Sequence, residues 1–262
     1  MGSASTQALA ASTQALAAAK DITLDTAKEL FAAARAVGDS SQLSGALADP
    51  AATAVARQNV VAAVFGGFSQ NAQSLLKTVV SERWSSAAEM IDGIEELAIR
   101  AAAVAEPTVD LEGELFGFSR VVAANSELEL ALGSRLGKQD AKGGLVERLL
   151  AGGASAATTL IVSSLVSRPR ERRVRQLLSR ATRIVASQGE RVVATVHTAK
   201  PLTDAQRTRL SDALSRRYDG TVSLNEVLDP AVVGGLRVQI ADDVIDGSIS
   251  ARLADLRQKL AG

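Results

Sequence analysis

The chain has 262 residues, enough for one large core or two to three small domains, and its 29 basic and 29 acidic side chains leave no global field to recruit nucleic acid or a membrane surface. It has no cysteine and a single histidine, which excludes disulfides, thiolate catalysis and a multi-histidine metal site. No apolar run approaches the ~20 residues that span a bilayer, and the amino terminus lacks the segments of a signal peptide, so a soluble chain of several domains that stays on the side where it is made is expected.

Charge is uneven along the chain. Residues 1–106 hold 7 basic and 11 acidic side chains, 107–189 hold 12 and 8, and 190–262 hold 10 of each, so the middle third is basic. Arginine outnumbers lysine 22 to 7, which with the alanine content reads as coding bias rather than selection for phosphate contacts.

The first element, residues 3–19, contains one heptad, 5–11, repeated letter for letter as 12–18. Leu9 and Leu16 therefore fall almost on one line of a helix whose stripe is otherwise alanine. Two compatible readings follow: the helix packs on its own domain through small residues, or it forms one wall of a shallow groove for a partner helix, with Leu76 and Val80 of a helix over 70–82 on the other wall. Leu24, Ala27, Leu30, Phe31, Ala34 and Val37 form the next stripe, ended by Gly38. Leu43 and Leu47 mark a short helix ended at Asp49-Pro50, where Asp49 caps and Pro50 opens the next. That helix carries Val55, Val60, Val61 and Val64 to the break at Gly66-Gly67. Ser69 caps a helix with Leu75, Leu76, Val79 and Val80, and Ser85 caps one with Met90, Ile91, Ile94, Leu97 and Val104, stopped by Pro107. Trp84, at a helix junction, reads as a core anchor.

The layout then repeats. Glu29-Leu30-Phe31 recurs as Glu114-Leu115-Phe116, and Leu43 and Leu47 as Leu128 and Leu132, all at an offset of 85. After one inserted residue, Gly66-Gly67, Ser69, Leu75-Leu76 and Val79-Val80 recur at an offset of 86 as Gly152-Gly153, Ser155, Ile161-Val162 and Leu165-Val166. Chance does not hold register through two glycine breaks and four apolar pairs, so the chain contains an internal duplication.

The run from Arg168 to Arg175 is the sharpest charge cluster. It opens a helix, where the macrodipole disfavours cations. It reads either as a solvated face balanced by nearby glutamates or as a contact with an acidic or neighbouring protein surface or anionic headgroups. No interleaved aromatics support nucleic-acid binding.

The remainder reads strand 191–198, helix 203–218, strand 221–228, strand 236–241 and helix 248–260. Thr203 caps the first of these helices. Asp229-Pro230 sets a turn, Gly234-Gly235 frees the backbone for positive φ, and Leu236, Val238 and Ile240 alternate with polar residues. Asp242-Asp243 and Asp246-Gly247 then turn on either side of the apolar pair Val244-Ile245, and Ser248 caps the last helix, where Leu253, Leu256 and Leu260 share a face. His197 is expected to be a satisfied surface or edge residue without a catalytic role. The three aspartates lack the glycine and terminal glutamate of a calcium loop, and Gly137-Lys138 lacks the frame of a phosphate loop, so neither metal nor cofactor is expected.

Asp229, Gly234-Gly235, the alternation after them, and Val244-Ile245-Asp246-Gly247-Ser248 followed by Arg252-Leu253 and Leu256 closely resemble the signature of the delta subunit of F-type ATP synthases, the oligomycin sensitivity-conferring protein of mitochondria. Val192 to Val196, Thr198-Ala199 and Pro201-Leu202 resemble the strand and helix that precede it. The resemblance is strong over 190–262 and weaker before. Usual members have one helical bundle, whereas longer bacterial members look like this chain.

The expected fold is mainly α with a small α/β domain: two tandem antiparallel helical bundles, 1–105 and 106–189, then a β-α-β-β-α domain over 190–262. Helix 85–105 closes the first bundle and can serve as first helix of the second. The resemblance implies a stator subunit without chemistry of its own. Its helical part would hold amino-terminal helices of alpha subunits atop the catalytic hexamer, and its carboxy-terminal part would grip a b-type stalk. It would lie at the cytoplasmic face of the bacterial plasma membrane and meet the membrane only through the complex. The rival readings are a helical-repeat adaptor unrelated to rotary enzymes, an arginine-rich regulator of nucleic acid and, last, an enzyme.

Overall fold

Most helices of the amino-terminal part begin where an oxygen-bearing side chain can take one of the backbone N–H groups that a first turn leaves free. The computed structural model describes residues 1–262 except 135–138, 170–172, 190, 219, 233, 241–242 and 250–262. The first six helices are α1 (Ser3–Ala18), α2 (Leu24–Asp39), α3 (Ser41–Ala48), α4 (Ala54–Val64), α5 (Gln70–Ser81) and α6 (Ala87–Ala105). Thr23, Ser40, Thr53, Ser69 and Ser86 cap α2 to α6 in turn. Two expected caps move. The Ser85 N–H donates to Ser5 Oγ of α1 at 2.9 Å, which leaves Ser86 to cap α6, and Asp49 takes the Ala51 N–H at 2.8 Å in a turn ahead of the Thr53 cap.

Helix α1 buries Ser5, Ala8, Ser12 and Leu16 against α5 and α6. These small residues let the backbones approach, and the Ser12 hydroxyl, wholly buried, donates to Ala8 O at 2.8 Å within the helix. Helix α2 lies along α6, the centre of this bundle. Trp84 is 7 % exposed, donates its indole N–H to Val79 O at 2.8 Å, and lies over Gly93 of α6, where any Cβ would fall 2.2 Å from the ring.

Helices α7 (Leu111–Ala124), α8 (Ser126–Gly133), α9 (Gln139–Leu150), α10 (Ala156–Ser167) and α11 (Val174–Gln188) repeat α2 to α6 in order. Leu30, Leu47, Val61, Leu75 and Leu76 are buried, and so are their counterparts Leu115, Leu132, Val146, Ile161 and Val162. The polar frame repeats as well. Glu29 accepts the Ser69 N–H at 3.0 Å, and Glu114 accepts the Ser155 N–H at 2.9 Å, so in both copies a carboxylate of the second helix fastens the cap of the fifth. One buried apolar cluster runs through both copies, within a unit that spans Met1–Val185. Helix α6 packs on α1, α2 and α5 of its own copy and on α10 of the next.

The second unit, Ala186–Gly262, contains strands β1 (Arg191–Thr198), β2 (Thr221–Leu228), β3 (Leu236–Ile240) and β4 (Asp243–Asp246), with helix α12 (Asp204–Tyr218) between β1 and β2. Thr203 and Gln206 exchange side-chain-to-backbone hydrogen bonds, 3.3 and 2.9 Å, as a capping box for α12. The sheet order is β2-β1-β3-β4, with β1 and β2 parallel and the other pairs antiparallel. Val192, Ala194, Val196, Val222, Val238 and Ile240 form one face and pack with Leu210 and Leu214 of α12. Strand β4 is additional to the expected strands: Val238 pairs with Ile245 and carries it to this face, although Val244 is 56 % exposed. His197 stands on β1, an interior strand, and not at an edge, and its buried Nδ1 has no hydrogen-bond partner among the described residues, so it is not the satisfied histidine expected. The expected helix 248–260 falls almost wholly outside the described residues.

Candidate functional site

Among the residues expected to line the amino-terminal groove, Leu16, Leu76 and Val80 are each 1 % exposed. They form the floor where α1 meets α5, and Leu9 is the one that reaches the surface, half-buried. Lys77, Thr78 and Ser81 of α5 are also half-buried, so the rim beside the α1–α5 contact is polar. Arg57 of α4 closes the end of α5, its guanidinium donating to Ser81 O at 3.2 Å and Glu82 O at 3.3 Å. A cation at carbonyls of a helix terminus also offsets the macrodipole there.

The arginine run is partly absorbed within the chain. Arg168 follows α10 and pairs with Asp39 at the end of α2, and Arg175 pairs with Glu129 of α8 at 3.0 Å. Helix α11 begins at Val174, so Arg168 lies before it rather than in its first turn; Arg170 and Arg172 lie outside the described residues. A second charged cluster was not expected. Arg180 of α11 reaches Glu95 at 3.2 Å and Glu96 at 3.4 Å on α6, and Glu96 also pairs with Arg100 at 2.8 Å. Both glutamates are over nine-tenths buried. The signal for it was legible: two adjacent acids inside a stretch from Ile94 to Ala102 that is otherwise apolar up to Arg100 demand a cation from elsewhere.

In the second unit the signature residues meet at one corner. Gly234 and Gly235 adopt φ of +68° and +77°. Gly235 lies so close to the far end of the β3–β4 hairpin that an added Cβ would fall 2.4 Å from Gly247 O, while Gly247 N–H donates to Leu236 O at 2.9 Å and Ile249 N–H to Gly234 O at 3.2 Å. Asp246 Oδ1 accepts the Ser248 N–H at 2.9 Å, and Ser248 is buried. The hydrogen bonds from the Ser248 side chain and backbone hold the Asp246 carboxyl below its ordinary value. Asp229 anchors the preceding turn: its N–H donates to Thr198 O at 2.9 Å and its Oδ1 accepts the Ala231 N–H at 3.0 Å. Asp229 Oδ2 is also 3.7 Å from Nδ1 of half-buried His197. Leu253, Leu256 and Leu260 lie outside the described residues.

These groups hold backbone in place; they do not converge on a reacting atom. Among the described residues no three His, Cys, Asp or Glu side chains are grouped to hold a metal ion, and no helix is long and apolar enough to cross a membrane. A duplicated helical unit followed by a small mixed-sheet unit, each with its own apolar core, defines a helical scaffold protein with an α/β appendage.

The family model for the ATP synthase delta (OSCP) subunit matches the chain twice, over residues 7–111 and 98–260, the second match beginning inside α6. ATP synthase subunit delta of Leifsonia xyli subsp. xyli is 50% identical over 240 residues, covering 91% of each chain. Those of Streptomyces avermitilis and Kineococcus radiotolerans are 38% and 40% identical, covering 98% and 90% of this chain and 98% and 88% of their own. The chain belongs to the ATP synthase delta (OSCP) subunit family. It is therefore a non-catalytic component of the peripheral stalk and not an adaptor of some unrelated assembly, and it is peripheral to the membrane through the complex.

Proposed function

We propose that, within the ATP synthase, the helical unit holds an amino-terminal helix of an alpha subunit and the carboxy-terminal unit grips the b-type stalk, at the cytoplasmic face of a bacterial plasma membrane. Rotor torque would turn the catalytic hexamer unless a static linkage opposed it. Such a linkage must bind at both ends and need not be complementary to any transition state. The observation that carries this reading is that each unit closes its own apolar core, one through α1 to α11 and one between the sheet and α12. Two ends with separate cores can bind separate partners without either depending on the other to fold.

In the helical part, residues 1–105 and 106–189 act as two sub-bundles joined through α6, and the α1–α5 surface takes the alpha helix. Leu9 is the residue to test, because Leu16→Asp would place a charge in the core. Leu9→Asp in the full chain should weaken binding of a peptide covering the alpha amino terminus while leaving the helical circular dichroism intact. Deleting 249–262 should abolish stalk binding and leave hexamer binding, giving an enzyme that hydrolyses ATP without pumping protons. Loss of both attachments together, or pumping at wild-type rate, refutes the division.

A further inference from the structure

We propose that the duplication does not double the partner site: the groove of the second copy that corresponds to α1–α5 is closed by α2 of the same chain, and α2 shows what kind of helix the open groove takes. The first step is the correspondence of elements. Helix α10 repeats α5 at an offset of 86, and α6 stands to the second copy as α1 stands to the first. Within each copy the fifth helix packs inward on the second, α5 on α2 and α10 on α7. Helix α2 touches α10 in addition, and since it belongs to the first copy it reaches α6 and α10 from outside the second.

Phe31 and Ala34 of α2, Ile91 of α6 and Ser164 of α10 line one cleft, and Asp39 pairs with Arg168 at the end of α10. The outer face of the α6–α10 pair is thus occupied by an aromatic-and-small apolar face with an acid at its carboxy-terminal end. No element among the described residues stands in the same relation to α1 and α5. The α5 counterparts of Ser163, Ser164 and Ser167 are Lys77, Thr78 and Ser81, all half-buried. The counterpart of Arg168 is Glu82, whose carboxylate has no partner among the described residues. The side chain at this position is therefore reversed in charge, Glu82 for Arg168, although the Arg57 guanidinium is bonded to the Glu82 carbonyl beside it. An α2-like helix carrying Asp39 would place acid against acid there, which disfavours α2 of a second copy. A helix with the same apolar face and a basic residue in its last turn fits, running parallel to α5 as α2 runs to α10.

That the natural occupant is an alpha amino-terminal helix rests on the function proposed above, so two probes are needed. The full chain is titrated calorimetrically with a peptide of the alpha amino-terminal helix, and separately with a peptide of residues 24–39 of this chain carrying Asp39→Lys. One equivalent of each is expected to bind, both several-fold more weakly to Glu82→Lys, and the unsubstituted 24–39 peptide several-fold more weakly to the wild type. Glu82→Lys should not impair folding, because lysine suits a helix carboxy terminus. Binding of the 24–39 probe without the alpha peptide keeps the inference and removes alpha as the partner. Two equivalents of either peptide, no binding of the substituted 24–39 probe, or indifference to Glu82→Lys overturns it.

Discussion

Replacing Gly235 by valine tests the corner on which the second unit closes. At φ +77° any L side chain is strained by about 1–2 kcal/mol, and a β-branched one by more. The added Cβ would also fall 2.4 Å from Gly247 O, 3.1 Å from Ser248 Cα and 3.2 Å from Gly247 C. All three are backbone atoms, so no rotamer relieves the contact, and the β3–β4 hairpin must move away. That motion breaks the bond from Gly247 N–H to Leu236 O, worth about 1 kcal/mol. The sum is about 3 kcal/mol, roughly a hundredfold in the opening equilibrium. Hydrogen exchange of the full chain should show β1 and β3 amides losing about that much protection while α1 to α11 are unchanged. Gly234→Ala should cost less, about 1–2 kcal/mol, because its Cβ would crowd only side-chain atoms of Ile249, Cδ1 at 2.5 Å and Cγ1 at 3.1 Å, which can rotate away. Equal protection in Gly235→Val and wild type would refute the reasoning, as would a larger effect at Gly234.

Three further outcomes concern the helical unit. Gly93→Ala gains about 1 kcal/mol of helix propensity but displaces the Trp84 ring, so it should be net destabilising by about 1–3 kcal/mol with red-shifted tryptophan emission; a stabilised variant with unshifted emission contradicts this. Arg180→Met removes a cation from Glu95 and should cost about 2–4 kcal/mol in urea unfolding followed by Trp84, with Arg180→Met/Glu95→Met recovering most of it. A single variant as stable as wild type would show that the pair is solvated. Burial pushes the Glu114 carboxyl up, but the Ser155 hydroxyl at 2.7 Å and the Ser155 N–H at 2.9 Å, with the Thr158 hydroxyl nearby, outweigh it and hold the group below its ordinary 4.5. A depressed folded value stabilises at and above the unfolded value and is lost as pH falls through the folded one. Glu114→Gln should therefore be less stable than wild type at neutral pH, with the gap closing as acid is added below about pH 4.5; a gap independent of pH would refute the assignment.

Local chemistry was legible without a structure. The stripes and caps of α2 and α5, the repeat of Glu29 and Ser69 as Glu114 and Ser155, and the glycines at 234 and 235 each depend on near neighbours or on a fixed spacing. Their physics is the helical period, the free N–H groups of a first turn and the cost of positive φ, all properties of a short stretch of chain. The tertiary structure decided what depends on which surfaces meet. Leu16, Leu76 and Val80 are buried rather than exposed on a wall because α1, whose buried face carries Ser5, Ala8 and Ser12, packs closely on α5 and α6. Ser86 caps in place of Ser85 because α6 begins at Ala87, with Ser85 held ahead of it by the bond from its N–H to Ser5 Oγ 80 residues away. Strand β4, with acids at both ends and only Ile245 turned inward, exists because β3 offers it a ladder. The pairing of Arg180 with Glu95 and Glu96, and the second role of α2 against α10, join residues with no periodic relation to one another. Burial and pairing at that range are set by the packing of whole helices, which no single stretch of the sequence carries.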